Sequence, residues 1–528
     1  MANLNPNSTN YFHSYEPNTN DLSLAMDYNG GGKPVLRVGL TDIANGGSAA
    51  AQSSFGEPIA VPIIPVIQLD GLYGLDPYEF ETFTFGTGSS TTNGQLIQAQ
   101  TGTGAFGYGV VRSNRVARYR PGQGMMARFT AMFENPQAGV TLRAGLFNQE
   151  QAIQFGYNTN GKFGVLIANG GKAHIEKLIV VTGGTGNVTI TLNGVATVVA
   201  ISSTNTTTAA AQIAAVTFPG WVVEQLNNEV RFLNNGLGPL AGAFTVTGTA
   251  GTYTISTVQA GVAQTESWTY QEDWDVDKMD GTGTSTIDMD WSKLNVFQID
   301  FRWLGIGELR WSVENPDTGD IMFVHHSHYA NRQTHVHIDN PCFKIGYVAA
   351  NLSADTKTNA RCAGASMMVA VEGVQNDNAF TTGWPSGEKT NLGATTTTVH
   401  QIIGYKNKLI YKDKINLRLM KLRSMSVAFQ GNDPSTIFIF LDANKNTLLR
   451  EWQSVNTWSS VAYDVAPGLI TVANYKPLGC FTLPINGSDT YNLSNLDLTV
   501  PPGSSLSICI QSGQNIGSVR ASLNWVEV

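Results

Sequence analysis

Short runs in which apolar and polar residues alternate cover much of the chain after residue 71. Phe80–Phe85, Met126–Phe133 and Thr141–Phe147 show this alternation, and residues that favour turns separate them. A period of two places every second side chain on one face of a strand, and turns at this spacing are typical of antiparallel sandwiches. The same texture resumes at Asn295–Trp303. The pattern therefore predicts a mainly β protein with a jelly-roll or lectin-like central sandwich encoded in two parts.

Residues 175–264 interrupt this texture with a composition rich in Thr, Val, Ala and Gly. Asn187–Gly194 predicts a strand that closes in an Asn-Gly turn, and the apolar run after it predicts the returning strand of a hairpin. Thr206–Val216 is alanine-rich with apolar residues at helical spacing, and Thr206 or Thr207 can cap the resulting helix. We interpret the segment as a small α+β insert that splits the central sandwich.

The two ends of the chain differ from the middle. Pro58, Pro62 and Pro65 remove backbone donors at short intervals, which predicts an N-terminal arm or linker that either orders on a neighbouring subunit or stays flexible. Apolar runs near the other end, such as Thr436–Leu441, predict a separate C-terminal β-sandwich. The predicted division is an arm or linker 1–70, central sandwich 71–174, insert 175–264, central sandwich continued 265–375, linker 376–398 and C-terminal sandwich 399–528.

Composition indicates a globular protein and limits its partners. Hydrophobic residues make up 42% of the 528 residues and charged residues only 14%, and the formal net charge is −8. No long basic run occurs, so the electrostatic footprint of a nucleic-acid-binding protein is missing. No signal peptide or membrane span is visible, which predicts synthesis in the cytoplasm without membrane insertion. Four cysteines without Cys-x-x-Cys spacing are expected to be buried free thiols, namely Cys342, Cys362, Cys480 and Cys509.

Parts of the sequence resemble viral proteins. The hairpin and alanine-rich helix of the insert, with Gly220-Trp221 and Gly238–Gly242, resemble a small module that recurs in tail and sheath proteins of phages. Four blocks outside the insert resemble uncharacterised virion proteins of tailed phages and large DNA viruses, namely Gln68–Pro77, Arg118–Gly124, Arg302–Glu308 and Asp339–Tyr347. The resemblance implies a location in the virion and contacts with other virion proteins, and it supplies no catalytic residues.

Five of the eight histidines fall in one short window. If two strands of a hairpin cross this window, alternation gives each strand a His-x-His pair on one face. Such pairs can chelate Zn, Ni or Fe, and a resemblance to iron-binding viral spike tips implies that three copies of the chain could complete an octahedral shell. The alternatives are stacked or hydrogen-bonded imidazoles at a subunit contact, or a protonation-controlled interface. The predicted strands are Val324–Tyr329 and Thr334–Ile338, and the candidate ligands are His326, His328, His335 and His337.

A second cluster of polar residues is acidic. Carboxylates alternate along Asp273–Asp277, and Asp280 follows. Calcium often gathers oxygen ligands in this way, although Lys278 stands where an EF-hand requires glycine and Thr284 stands where it requires glutamate. The loop Asp273–Asp280 is therefore a candidate calcium site, and a solvated acidic turn is the alternative.

Two tryptophans, Trp303 and Trp311, could offer faces to a sugar, with Glu308, Glu314 and Asp317 close by in the sequence. Core packing is the alternative, because both tryptophans lie in strand-like runs. No nucleophile elbow or Walker loop is present, and the cysteines lack a recognisable partner motif. The sequence therefore predicts a protein that is not an enzyme and requires no cofactor.

Three functions from different classes are consistent with these features. The first is an exterior fibre, spike or tail component that assembles with copies of itself, with a trimer favoured and a pentamer as the alternative, and attaches to a host surface, including its glycans. The second is a capsid-associated cement or penton-like vertex protein. The third is a carbohydrate-binding or carbohydrate-active module.

Overall fold

The structure is a computed structural model that describes residues 62–528 except 241, 374–380, 446–448, 467, 476 and 495–497, and the backbone of three strands nearer the N-terminus. Those strands lie in the unit Met1–Ile63 and form one antiparallel sheet. They are β1 (Tyr11–Phe12), β2 (Leu24–Tyr28) and β3 (Pro34–Val38), with β2 in the middle. The rest of the predicted arm up to residue 61 lies outside the described residues.

The first part of the central sandwich belongs to the second unit, Ile64–Val528. Alternating side chains are buried along β8, as the sequence pattern predicts, whereas most residues of β11 and β12 are buried on both faces. The strands are β4 (Ile63–Asp70), β5 (Phe80–Phe85), β6 (Ser89–Asn93), β7 (Leu96–Gln100), β8 (Tyr108–Ser113), β9 (Ala117–Arg118), β10 (Met125–Glu134), β11 (Val140–Phe147), β12 (Ala152–Tyr157) and β13 (Phe163–Asn169).

The insert follows as two small antiparallel sheets and one helix around their own apolar core. Its elements are β14 (Ala173–Thr182), β15 (Gly184–Leu192), β16 (Val195–Ser203), α1 (Thr206–Ala214), β17 (Trp221–Leu226), β18 (Glu229–Leu237), β19 (Thr245–Gly248) and β20 (Thr252–Gln259). One sheet has the order β17-β18-β14-β20 and the other the order β16-β15-β19. The predicted hairpin is formed by β15 and β16, and both turn residues, Asn193 and Gly194, have positive φ as a type I′ turn requires.

The helix of the insert is capped by a residue that the sequence pattern did not single out. Asn205 precedes α1, and its Oδ1 accepts hydrogen bonds from the backbone N–H groups of Thr207 (2.9 Å) and Thr208 (3.0 Å). The prediction that Thr206 or Thr207 caps this helix is wrong, because both residues already lie inside the first turn.

Strands after the insert complete the two sheets of the central sandwich. They are β21 (Thr265–Tyr270), β22 (Asn295–Phe301), β23 (Leu309–Glu314), β24 (Ile321–Ser327), β25 (Cys342–Asn351), β26 (Arg361–Gly364) and β27 (Ser366–Glu372), with a short 3-10 turn at Gln271–Asp273. One sheet has the order β24-β23-β22-β10-β26-β7-β6 and includes β27 and β4, and the other has the order β21-β13-β12-β11-β25-β8-β5 and includes β9. Because β13 pairs with β21, the insert interrupts a continuous sheet.

One boundary of the predicted arm changes. The sequence pattern predicts that Ile63–Asp70 belongs to the arm, but this segment forms β4 and pairs with β27 in the central sandwich. Ile67 and Leu69 are buried in the sandwich core, which explains why this segment is ordered as a strand despite Pro65.

The C-terminal sandwich begins earlier than the sequence predicts. Its strands are β28 (Thr381–Pro385), β29 (Lys389–Leu392), β30 (Thr398–Asn407), β31 (Ile410–Tyr411), β32 (Lys414–Ile415), β33 (Met420–Gly431), β34 (Ser435–Leu441), β35 (Gln453–Ser454), β36 (Val461–Asp464), β37 (Leu469–Thr471), β38 (Pro477–Leu483), β39 (Ser488–Asn492), β40 (Thr499–Val500), β41 (Ser505–Ser512) and β42 (Ile516–Glu527), with a 3-10 turn at Val472–Asn474. Within the predicted linker 376–398, β28 and β29 both pair with β42, so these residues are part of the sandwich.

Two sheets face each other in the C-terminal sandwich. One has the order β28-β42-β33-β39 with β29 and β40 at its margins, and the other has the order β35-β36-β30-β41-β34-β38 with β37. Their apolar faces meet around buried side chains that include Tyr405, Ile508 and Trp525. Among the residues that the structure describes, no helix has the length and apolar composition needed to cross a membrane.

A buried carboxylate joins the insert to the C-terminal sandwich. Glu224 in β17 is 2% exposed. Its oxygens accept hydrogen bonds from the backbone N–H groups of Leu409 (2.7 Å) and Ile410 (3.1 Å), and one of them lies 3.3 Å from Nζ of Lys406. Charge-assisted bonds of this kind are the stronger ones in proteins, and burial shields them from water.

Other bonds extend this junction and attach the insert on its other side. The side-chain amide of Gln225 donates to the backbone carbonyl oxygen of Trp452, and its oxygen accepts from the backbone N–H of Trp452. Toward the central sandwich, the Gln149 amide donates to the carbonyl oxygen of Asn234 at 3.0 Å. The insert is therefore hydrogen-bonded to both sandwiches. Loss of these bonds would leave buried polar groups without a partner, which costs free energy of desolvation.

Candidate metal centre

The histidine window begins on β24, where a bulge changes the alternation of side chains. Trp311 of β23 pairs with His325, whereas the next residue, Ser312, pairs with Phe323, so Val324 is an extra residue in the strand. As a result the neighbouring residues Val324 and His325 are both buried, although side chains alternate between the two faces of a regular strand. The bulge fixes which imidazoles face the core and which face the solvent.

Asp275, from the acidic cluster, lies against this bulge. Its Oδ1 accepts hydrogen bonds from Nδ1 of His325 (2.9 Å) and from the backbone N–H of His326 (2.9 Å). Its Oδ2 lies 3.6 Å from Nδ1 of His326. The two residues after Asp275 also donate their backbone N–H groups to the carbonyl oxygen of Val324. Residues some 50 positions apart thus meet at the β24 bulge.

Burial and neighbouring charges shift the pKa values of Asp275 and His325 in this contact. Burial alone would raise the pKa of Asp275, but the N–H of His326 and the two neighbouring imidazoles lower it overall. Burial lowers the pKa of His325 despite the opposing attraction of Asp275.

His328 completes a cluster of possible ligands. Its ring stacks on that of His326 with a centroid distance of 5.6 Å, and its Nδ1 lies 3.5 Å from Oε1 of Glu308. The other oxygen of Glu308 accepts from Nε of Arg310 at 2.9 Å. One ligand atom from each of Asp275, His326 and His328 lies within 4.8 Å of the others. Across the described residues, no other group of three or more His, Cys, Asp or Glu side chains meets this criterion.

The predicted second histidine strand is not formed. Thr334–Ile338 has no strand partner, and His335 is exposed. His337 is 5% exposed and donates from Nδ1 to the carbonyl oxygen of Gly305 at 3.0 Å, while its ring stacks on Tyr329 at 4.0 Å. Burial lowers the pKa of His337 to about 4. The alternation of histidines along the sequence predicts which side chains share a face if the segment is a strand. It does not show whether the segment is a strand or a loop.

The acidic cluster does not converge on one point. Asp277 is buried, and its oxygens accept from the backbone N–H groups of Met279 (2.9 Å) and Ser285 (2.7 Å), which closes a loop. Asp280 accepts from the N–H and hydroxyl of Thr282. Because Asp275 points to the histidines instead, the carboxylates of Asp273–Asp280 serve separate local contacts.

The two tryptophans considered for sugar binding have different environments. Trp311 is fully buried, its ring centroid lies 5.1 Å from that of Phe155, and its Nε1 donates to Ser327. Trp311 therefore cannot contact a glycan, and core packing explains it. Trp303 is half-buried, packs against the same core, and donates from Nε1 to the carbonyl oxygen of Ile338 at 2.9 Å.

The cysteines follow the expectation in part. All four are free, but Cys480 is exposed and Cys342 is only partly shielded. Burial raises the pKa of Cys342 to about 11 and that of Cys509 to about 12, which leaves both as unreactive thiols at neutral pH.

An exposed aromatic surface on the C-terminal sandwich was missed in the sequence. Trp458 is 76% exposed, and Nζ of Lys412 lies 4.7 Å from its ring centroid. The hydroxyl of Tyr411 donates to the carbonyl oxygen of Trp458 at 2.8 Å, and the guanidinium of Arg418 lies 5.0 Å from the Tyr411 ring centroid. We call these four residues the Trp458 surface. In the sequence, this surface is indicated by one large aromatic residue within the polar stretch Asn456–Ser460.

Comparisons with known proteins give only distant structural likenesses. No protein-family model matches the chain, and no curated protein matches it. Lectin II from Ulex europaeus is similar at 7% identity over 58% of this chain and 99% of that one, with a TM-score of 0.22. Arcelin-5, a lectin-like defence protein from Phaseolus vulgaris, is similar at 10% identity over 58% and 100% of the chains, with a TM-score of 0.20.

A viral structure is also similar. It is described as the triple jelly roll fold and turret assembly in an archaeal virus, and it shares 8% identity over 86% of this chain and 90% of that one, with a TM-score of 0.15. At these identities and TM-scores, no activity, ligand or assembly is transferred to this chain. The mainly β fold class rests on the strands and sheets themselves.

Proposed function

We propose that the protein is a structural component on the exterior of a virus particle, a fibre, spike or tail part, and that it is not an enzyme. The observation that carries this proposal is the buried bonding around Glu224, which ties the insert to the C-terminal sandwich. With the bonds between the insert and the central sandwich, this junction holds three β modules in series. A projecting structural protein requires modules that such bonds hold in fixed positions.

The interior chemistry supports the same proposal. Buried charges are used for internal bonding: Nζ of Lys445 lies 2.7 Å from Oδ2 of Asp464, and both side chains are fully buried. Burial lowers the pKa of Lys445 against the attraction of Asp464. Such pairs specify a packed arrangement and offer no accessible acid or base. The sequence blocks that resemble virion proteins supply the setting.

The proposal is tested by composition of purified particles. Quantitative mass spectrometry of gradient-purified virions is expected to find the chain at a fixed copy number that survives high-salt washing. Detection only in the soluble fraction of infected cells would overturn the proposal. The oligomeric state of the purified chain separates the alternatives, because an elongated trimer indicates a fibre or spike. A monomer or pentamer that binds only assembled shells indicates the capsid cement or vertex role.

A second function, binding of host-surface carbohydrate, is favoured by the Trp458 surface. Aromatic faces stack on sugar rings, and cations beside them attract acidic substituents. Lys412 and Arg418 are basic groups at this surface in a chain whose net charge is −8. We propose that an attachment component would use this surface, instead of Trp303 or Trp311, to contact glycans.

A further inference from the structure

We propose that Asp275, His326 and His328 together bind one divalent first-row transition-metal ion, with Zn²⁺ as the reference ion. The ligand atoms of the three residues already lie within 4.8 Å of one another. Two imidazoles and one carboxylate form a set that Zn²⁺ and Fe²⁺ share in proteins, whereas Ca²⁺ takes oxygen ligands. The site goes beyond the proposed structural role and does not depend on it.

The carboxylate is oriented before any ion arrives. Oδ1 of Asp275 is occupied by His325 and by the backbone N–H of His326, both at 2.9 Å. Oδ2 is the oxygen that faces the ring of His326, at 3.6 Å from Nδ1. An ion between these two atoms would bind Oδ2 and Nδ1, while His325 holds the carboxylate in place through Oδ1. Outer partners of this kind orient metal ligands in known sites.

His328 has an equivalent outer partner. Oε1 of Glu308 lies 3.5 Å from its Nδ1, so an Nδ1–H directed at Glu308 leaves Nε2 free to ligate. Glu308 is itself held by Nε of Arg310 at 2.9 Å. A carboxylate in this position fixes the imidazole tautomer that leaves Nε2 as the ligand atom.

The site is open on one side. The side chains of Asp275 and His328 are 42% and 46% exposed, whereas that of His326 is 17% exposed. Beside His328 lies a pocket of about 300 Å³ lined by Glu308, His328, Tyr329, Ala330 and Arg332. Neither Asp275 nor His326 lines this pocket, so it lies on the Glu308 side of His328. Three protein ligands leave at least one coordination position, and the exposure of Asp275 and His328 lets water fill it.

The experiment uses the chain of residues 1–528 without a polyhistidine tag, after dialysis against EDTA and removal of the chelator. Isothermal titration with ZnCl₂ is expected to show one saturable site per chain, and Co²⁺ is expected to give the visible absorption of a nitrogen- and oxygen-ligated ion. His328→Ala and Asp275→Asn are each expected to lower the Zn²⁺ affinity by more than about 100-fold, and Glu308→Gln by about 10-fold.

His335→Ala is the matched control, because this exposed histidine lies in the same window but outside the cluster. It is expected to bind Zn²⁺ as the parent chain does. Circular dichroism and a thermal melt without metal verify that each variant is folded. His328→Ala is expected to fold, because it removes a side chain that is only half-buried. Absence of saturable Zn²⁺ binding to the parent chain would overturn the proposal, as would an equal loss of affinity in His335→Ala and His328→Ala.

Discussion

The carboxylate of Glu224 in the insert accepts a 2.7 Å hydrogen bond from the backbone nitrogen of Leu409 in the C-terminal sandwich. Leu409 precedes β31, and the next residue, Ile410, bonds to the other oxygen of the same carboxylate. Ile410 also packs with Ile175 and Leu233 of the insert in one small apolar cluster. Together with the bonds between Gln225 and Trp452, this acidic side chain and a few apolar contacts join the two modules.

Replacement of Glu224 is expected to loosen this junction. In Glu224→Gln, the amide NH₂ faces backbone N–H donors and Lys406 loses its buried partner, so the free energy of unfolding should fall by about 3 kcal/mol. Urea unfolding followed by tryptophan fluorescence measures this change. Glu272→Gln is the control, because Glu272 pairs with Lys162 where both side chains are more than half exposed, and no measurable loss is expected. Equal stability of Glu224→Gln and the parent chain would show that the junction does not depend on this carboxylate.

The helix cap gives a test that separates the structure from the sequence pattern. Asn205→Ala removes the acceptor for two N–H groups at the start of α1 and should lower the free energy of unfolding by about 1 kcal/mol. Thr206→Ala, at one of the two positions that the sequence pattern predicts for the cap, should lower the free energy of unfolding less, because Thr206 lies inside the helix. Denaturant midpoints of the two variants provide the comparison, and a larger loss for Thr206→Ala would contradict the observed cap.

His337 should make stability depend on pH. Its pKa is about 4 in the folded chain, against an ordinary value of 6.5, because burial disfavours the charged ring. The unfolded chain therefore binds more protons between these values, so this stabilising contribution is complete above pH 6.5 and is lost as the pH falls through about 4. The loss is at most about 3 kcal/mol. Tyr329, stacked on the ring, is the neighbouring titratable group, and burial raises its pKa to about 12, so it stays neutral in this window.

The variant His337→Asn isolates this effect. Asparagine can keep the donor to the carbonyl oxygen of Gly305 but does not titrate. Thermal melts of both proteins between pH 4 and pH 7.5 should show that the difference in melting temperature narrows as the pH falls. A difference that stays constant over this range would mean that protonation of His337 does not contribute.

The Trp458 surface predicts a localised loss of glycan binding. Trp458→Ala removes an exposed aromatic face beside Lys412 and should abolish binding of acidic glycans on an array while leaving the melting temperature unchanged. Tyr73→Ala, which removes another aromatic residue that is 93% exposed, should bind as the parent chain does. If the parent chain binds no glycan, or if both variants lose binding equally, the carbohydrate role of this surface is wrong.

Much of the fold could be predicted because it is encoded locally. The alternation of apolar residues and the Asn193-Gly194 turn specify strands and hairpins within a few residues. The change in composition near residue 175 marked the insert, and β13 and β21 pair on either side of it. The strands within the predicted linker were missed because β28 and β29 are short and polar and gain their order from pairing with β42.

The candidate site could be predicted only in part, because it depends on contacts between distant residues. Two clusters were visible in the sequence, one of histidines and one of aspartates, but nothing local shows that Asp275 turns away from Asp277 to meet His325. Likewise, periodicity does not show that His337 lies in a buried loop. The bulge at Val324, which decides the direction of the imidazoles, has no residue signature of its own.

Cryo-electron microscopy of intact particles tests the proposed structural role on the outside of a virus particle. Exterior density is expected into which residues 64–528 fit as three β modules, with the insert bonded to both sandwiches. Antibody fragments raised against the chain should decorate the same density. Particles that lack such density and are not decorated by the fragments would contradict the proposed role.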